Sequence, residues 1–203
     1  MTARADILAR LAGTSTQAAI EAEAAALLRA PERPPVDPAL LEETFLARLT
    51  LPSVAATVDR IATMADLPAA IALYCAGHGL PATLCLPPDP RLTACDWSGF
   101  AVHDTAAPDE ALALAIARVG VAETGSLVFE TGPAAPMLPN FLALHHIVLV
   151  PRLVAYLEDA TLPGDYPRAH YWVTGVSGTT DIEGTYVRGA HGPRFLHVIR
   201  LGD

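Results

Sequence analysis

The stretch SGTTDIEGTYVRGAHGPRF (residues 177–195) gathers two carboxylates, a histidine and two arginines among hydroxyls and four glycines. Only 17% of the chain is charged, and a segment of this kind buries little apolar surface, so its composition points to chemistry rather than to packing alone. Ser177, Gly178, Thr179 and Thr180 offer hydroxyls and closely approachable amides to a phosphate or carboxylate. Asp181 and Glu183 are placed for general-base work or for orienting His191. Gly192 and Pro193 fix a tight turn that keeps His191 near Arg194. Arginine forks onto carboxylates, and histidine titrates close to neutrality. The plain structural alternative is a salt-bridged turn, with Asp181 or Glu183 paired to Arg194.

A second polar loop, VAETGS (residues 121–126), places Glu123, Thr124, Gly125 and Ser126 directly before an apolar run. Gly125 permits close backbone approach, and the amides around it suit an anion. Glu123 is the candidate base or nucleophile of this loop; its structural alternative is a turn-capping carboxylate. The set Asp181, Glu183 and His191 has no diagnostic metal-ligand spacing, so no metal site is expected from it. His145 and His146 are adjacent on an apparent strand, so their rings face opposite sides. One of them is expected to be a core histidine with a satisfied nitrogen. His78, before Gly79, is expected to cap a helix end, and Trp97 and Trp172 are expected to pack.

These loops need elements to hold them. Residues 3–50 read as helical, with Thr14 and Gln17 as a capping box and Asp37–Pro38 as a helix start. PERPPVDP (31–38) is a stiff connector. From Leu51 onward strand and helix patterns alternate: SVAATVDRI as strand, DLPAAIALYCAGHGL as helix, ATLCLP as strand, HHIVLVP as buried strand, RLVAYLEDA as helix, then AHYWVTGVSG and RFLHVIRL as strands. Residues 109–119 fit helix or strand equally, and 126–130 reads as strand. The alternation predicts a three-layer α/β domain over 51–203 with a mainly parallel sheet, preceded by an N-terminal helical segment over 1–50 packing on it. In open α/β sheets ligands settle at the carboxyl ends of strands, and both polar loops are expected there.

Composition narrows the function further. With 203 residues and 52% hydrophobic content the chain can bury a sizeable core. Net charge is −9 and there is no basic cluster, which argues against nucleic acid as a partner. All 13 basic residues are arginine, so Schiff-base and P-loop lysine chemistry are excluded. Cys75, Cys85 and Cys95 show no CxxC pattern, and no iron–sulfur cluster or structural zinc is expected on this chain alone. Cys75 and Cys85 read as buried thiols. No GxGxxG fingerprint supports a nicotinamide or flavin site. Mean hydropathy is +0.34, yet no apolar run reaches the ~18 residues of a membrane span. Asp6 and Arg10 interrupt any signal-peptide core, so a cytoplasmic location without membrane insertion is expected.

Three segments in this order, AETGSLVF (122–129), LPNFLALHHIVLV (138–150) and SGTTDIEGTYVRGAHGPRFLHVIRL (177–201), resemble the LUD-domain family of the lactate utilization protein C (LutC) type. The resemblance covers residues 111–201. One position departs from it: Thr180 stands where the family pattern more often has Ala. The resemblance implies a fold similar to the NagB/RpiA/CoA-transferase superfamily. It also implies a part in oxidising L-lactate to pyruvate beside iron–sulfur partner subunits, with no cofactor held by this chain alone and room for a homo-oligomer. Two other roles follow from the same likeness. One is a transferase or ligase acting on an acyl-CoA, sugar phosphate or nucleotide, with Glu123 or Glu183 as nucleophile; the other is a scaffold without chemistry.

Overall fold

The computed structural model describes residues 3–11, 15–28, 33–160 and 167–202. The chain divides into two compact units, 1–35 and 36–203. The first contains α1 (Ala3–Leu11) and α2 (Gln17–Leu27). Thr16 caps α2, its hydroxyl accepting from the Ala19 amide at 3.3 Å; Thr14 lies outside the described residues.

The second unit opens with Asp37, whose carboxylate accepts from the Ala39 amide at 2.9 Å and starts a short 3-10 turn, with Pro38 in its first position. Then follow α3 (Leu41–Leu49), β1 (Ala56–Ile61), α4 (Leu67–His78), β2 (Thr83–Cys85), α5 (Pro90–Thr93), β3 (Ala101–His103) and β4 (Leu112–Ile116). Next come β5 (Val119–Val121), β6 (Ser126–Glu130), α6 (Pro139–Leu142), β7 (His145–Val150), β8 (Leu153–Val154) and β9 (His170–Val173). The hairpin β10 (Gly178–Thr180) and β11 (Tyr186–Arg188) precedes the last strand, β12 (Phe195–Leu201).

Six strands form one wholly parallel sheet in the order β1-β12-β7-β4-β2-β3. A parallel strand covered on both faces must be apolar throughout, and every residue of β7 is buried. Its side chains alternate between two cores. Ile147 and Leu149 join Leu114, Ile199 and the Leu67, Ile71 and Tyr74 face of α4. Val148 and Val150 join Val198, Phe45 and Leu49 of α3, and Leu127 and Phe129 of β6. On this second face lies a four-stranded sheet, β8-β5-β6-β9. The result is a three-layer α/β fold whose central sheet is flanked by helices, as the alternation predicts. At the edge, β1 carries Asp59 and Arg60 in exposed positions, which blunts it against pairing with another chain.

Three details differ from expectation. Because Phe45 and Leu49 are fully buried in the second core, α3 belongs to the α/β unit, which starts at Val36 rather than Leu51. Residues 152–160 are not a helix: Leu153 and Val154 pair with Gly120 and Val121 as a short parallel strand, and only Leu157–Ala160 turns, as a 3-10 segment. Sheet pairing here overrides an apolar spacing that also fits a helix. The ambiguous stretch 109–119 resolves as β4 and the start of β5. Among the described residues no helix is long and apolar enough to cross a membrane.

Candidate functional site

The segment 174–194 reaches the amino-terminal rim of the parallel sheet, not the carboxyl rim. The Ser177 amide donates to the Pro193 carbonyl at 2.8 Å, and the Arg194 and Phe195 amides both donate to Leu144, just before β7, at 3.1 Å. The reason is topological. The strand this segment follows, β9, lies in the smaller sheet, and the strand it feeds, β12, begins at this rim.

Here a cavity of about 290 Å³ opens, lined by Asn140, Phe141, His146, Trp172, Thr174, Gly175, Ser177, His191 and Gly192 among others. Gly175 fixes its wall. Its φ is +93°, and a Cβ there would lie 2.6 Å from the Val54 carbonyl oxygen, so only glycine lets the chain leave β9 against this backbone. Trp172 is not packed inside but exposed along the cavity.

His146 is the residue that a reading of the sequence alone passes over. Its partner in the pair, His145, lies on the α4 side with Nδ1 2.9 Å from the Tyr74 hydroxyl. His146 faces the other way, beside Phe129 at 5.9 Å between ring centroids. It is 1% exposed, and neither ring nitrogen has a hydrogen-bond partner. Burial alone pushes its pKa down from 6.5 to about 3, so the ring is neutral at physiological pH, with one unmet donor and one unmet acceptor. Leaving such groups unsatisfied costs ~1–3 kcal/mol each. The sequence offers only the adjacent histidine pair on a buried strand as a signal; the missing partners of His146 show in the fold. Nearby, Asn140 donates through Nδ2 to the Tyr171 hydroxyl at 2.7 Å.

Of the residues predicted for the site, Ser177, His191 and Gly192 line this cavity. The Glu123 loop meets it only indirectly. Gly125 turns at φ +73°, packed against Arg48 so closely that a Cβ would sit 3.0 Å from the arginine Cβ. Ser126 is buried, 2.7 Å from the Thr124 hydroxyl and 2.6 Å from that of Thr174, and Thr174 lines the cavity. Glu123 itself turns away, accepting at 3.5 Å from the Leu157 amide. Asp181 is also elsewhere. Its carboxylate accepts from the Thr185 amide at 2.8 Å and closes the turn of the β10–β11 hairpin, where Glu183 is exposed. Gly178, Thr179 and Thr180 form β10 of that hairpin, and Arg194 lies outside the cavity with its guanidinium 5.8 Å from the centre of the Phe195 ring. The cavity therefore takes one hydroxyl, that of Ser177, from the predicted loops and another from Thr174, just before the second of them, and no carboxylate from either loop. It supplies hydrogen-bond donors and acceptors with no carboxylate among them, a set that suits a small carboxylate or hydroxyl-bearing ligand.

His78 and His197 have structural partners. His78 bonds the Tyr74 carbonyl through Nδ1 at 2.9 Å at the end of α4, where Gly79 takes the left-handed cap. His197 Nδ1 is 2.8 Å from the Thr57 hydroxyl, and the Asp59 carboxylate lies 3.4 Å from Nε2. Its pKa still falls to about 4, because burial outweighs that charge. Trp97 packs as expected, its Nε1 donating to the Leu92 carbonyl at 2.7 Å.

A three-layer α/β domain with this arrangement has a solved counterpart. A DUF162 family protein from Deinococcus radiodurans superposes with a TM-score of 0.54 at 20% identity, over 83% of this chain and 100% of that one; at that identity the likeness is one of fold. The LUD domain family matches residues 111–201, the stretch from β4 to β12 that contains every residue lining the His146 cavity. No match is found among curated proteins.

Proposed function

We propose that the His146 cavity holds a small hydroxy- or oxo-carboxylate, and that the chain is a LutC-like subunit of a cytoplasmic assembly oxidising L-lactate to pyruvate. The observation that carries this reading is the buried, neutral His146 ring with two unpartnered nitrogens, in a cavity also lined by the hydroxyls of Thr174 and Ser177. A carboxylate accepts from the ring N–H and a neighbouring hydroxyl, while the ring's bare nitrogen accepts from the substrate's hydroxyl. His191, exposed and lining the same cavity, would pass that proton to water. Oxidation of the alcohol breaks its O–H and Cα–H bonds and releases two electrons and two protons. The iron–sulfur partner proteins would be the oxidant, taking both electrons as the Cα proton leaves to solvent. The β10–β11 hairpin, with Ile182, Tyr186 and Val187 exposed, offers a surface for such a partner. A reading with Glu123 or Glu183 as acyl nucleophile draws no support from their positions outside the cavity.

The test has two arms. Isothermal titration of the chain with lactate and pyruvate is expected to show binding that His146→Ala weakens by ~10–100-fold, the loss of a charge-assisted hydrogen bond. Lactate-dependent dye reduction by the assembly reconstituted with its partner proteins is expected to fall with His146→Ala and His191→Ala. Wild-type affinity and turnover in both variants would overturn the assignment.

A further inference from the structure

We propose that Cys85, His103 and Glu110 form a binding site for a divalent transition-metal ion, best suited to zinc, on the opposite margin of the sheet from β1 and independent of the reading of the His146 cavity. The parallel pairing places Cys85 directly beside His103 on the neighbouring strand β3, and beside Ala113 on β4, three residues after Glu110. One ligand atom from each of the three residues lies within 4.8 Å of the others. Zinc bonds thiolate, imidazole and carboxylate at ~2.0–2.3 Å, so these donors need only side-chain adjustment to converge on one ion. Thiolate with imidazole favours zinc and its softer neighbours over magnesium or calcium.

Three further features fit. Glu110 is held from behind, its Oε2 accepting from the Ala107 amide at 3.1 Å as well as from His103 Nε2 at 2.8 Å; outer contacts of this kind orient metal ligands. The thiol is fully buried among Ala106, Ala113 and Ala143, small side chains that leave the three donors facing one another. An entry path exists as well: the His103 side chain is 36% exposed, and Glu110 lines a cavity of about 570 Å³ shared with Asp109 and His191.

An ion with two positive charges balances one thiolate and one carboxylate. Binding therefore displaces the Cys85 proton to solvent and breaks the His103–Glu110 hydrogen bond, with no change of oxidation state. Three protein ligands leave the fourth tetrahedral position to water.

The experiment is titration of the chelator-treated full-length protein with Co²⁺, read by absorption, then with Zn²⁺. The expected result is a thiolate-to-cobalt charge-transfer band saturating at one equivalent, displaced by zinc, with proton release in weak buffer. Cys85→Ser is expected to abolish the band while Cys75→Ser and Cys95→Ser retain it. Glu110→Gln, which keeps the side chain's shape, should weaken binding beyond the ~10–100-fold cost of losing an outer-shell partner. Absence of the band in the wild-type protein, or a band unchanged by Cys85→Ser, overturns the site. Should Cys85→Ser not fold, the Glu110→Gln affinity decides: no weakening overturns the site too.

Discussion

His146 shows how a single residue can tie stability to function. In the folded chain its ring resists protonation down to about pH 3, against 6.5 ordinarily. As pH falls below 6.5, unfolded chains take up a proton that folded ones cannot, so the unfolded state binds more protons and stability declines with acid. The loss starts near 6.5 and levels off near 3. His197, lowered to about 4, adds a parallel contribution over a narrower window. His146→Leu removes the larger part. Thermal unfolding between pH ~7 and ~4 should show a shallower decline in Tm for this variant than for wild type. At neutral pH its Tm should equal or exceed the wild-type value, because an apolar ring-sized side chain leaves no orphaned nitrogen. Parallel pH profiles would mean that the imidazole titrates freely, contrary to its burial.

At the scale of elements, legibility followed burial. The run HHIVLV could be read as strand because both its faces are covered, which leaves no polar alternation to confuse it. Asp37–Pro38 and His78–Gly79 were readable because capping is local chemistry. What could not be read were contacts made across the chain: Leu153 and Val154 extend because β5 pairs with them, and the loop over 174–194 lies at the amino rim because β9 belongs to a different sheet from β12. His146 was hidden for the same reason, since only tertiary placement shows that its nitrogens lack partners. Gly120 is a further case of such a contact and gives a sharp test. A Cβ there would meet the Phe45 ring at 2.6 and 2.7 Å and a Leu153 methyl at 2.9 Å. Phe45 is fully buried between layers and has no room to retreat, so Gly120→Ala should destabilise by ~1–3 kcal/mol, the usual cost of overpacking. Gly77, on the exposed side of α4 with nothing near its Cβ position, should respond oppositely, Gly77→Ala gaining ~0.5–1 kcal/mol in helix propensity. Denaturant midpoints shifting in opposite directions would confirm the pair; equal shifts would show that α3 is not wedged against β5.

For the whole molecule, the division at Pro35–Val36 makes a physical claim about where folding energy resides. All four buried clusters are built from residues after Val36, and among the described residues α2 buries none of its own side chains. The unit 36–203 should therefore fold by itself. Its denaturant midpoint and slope should match the full chain to within ~0.5 kcal/mol, the range of changes away from a core. The N-terminal helices meanwhile carry Ile7, Ile20 and Leu27 in exposed positions, apolar surface available to a partner protein. Deleting residues 1–35 is thus expected to leave unfolding and lactate titration of the α/β unit unchanged while weakening its retention by the proposed iron–sulfur partners in co-purification. A large fall in stability on deletion would instead assign those helices to the core, and would remove the reason for expecting them to serve the assembly.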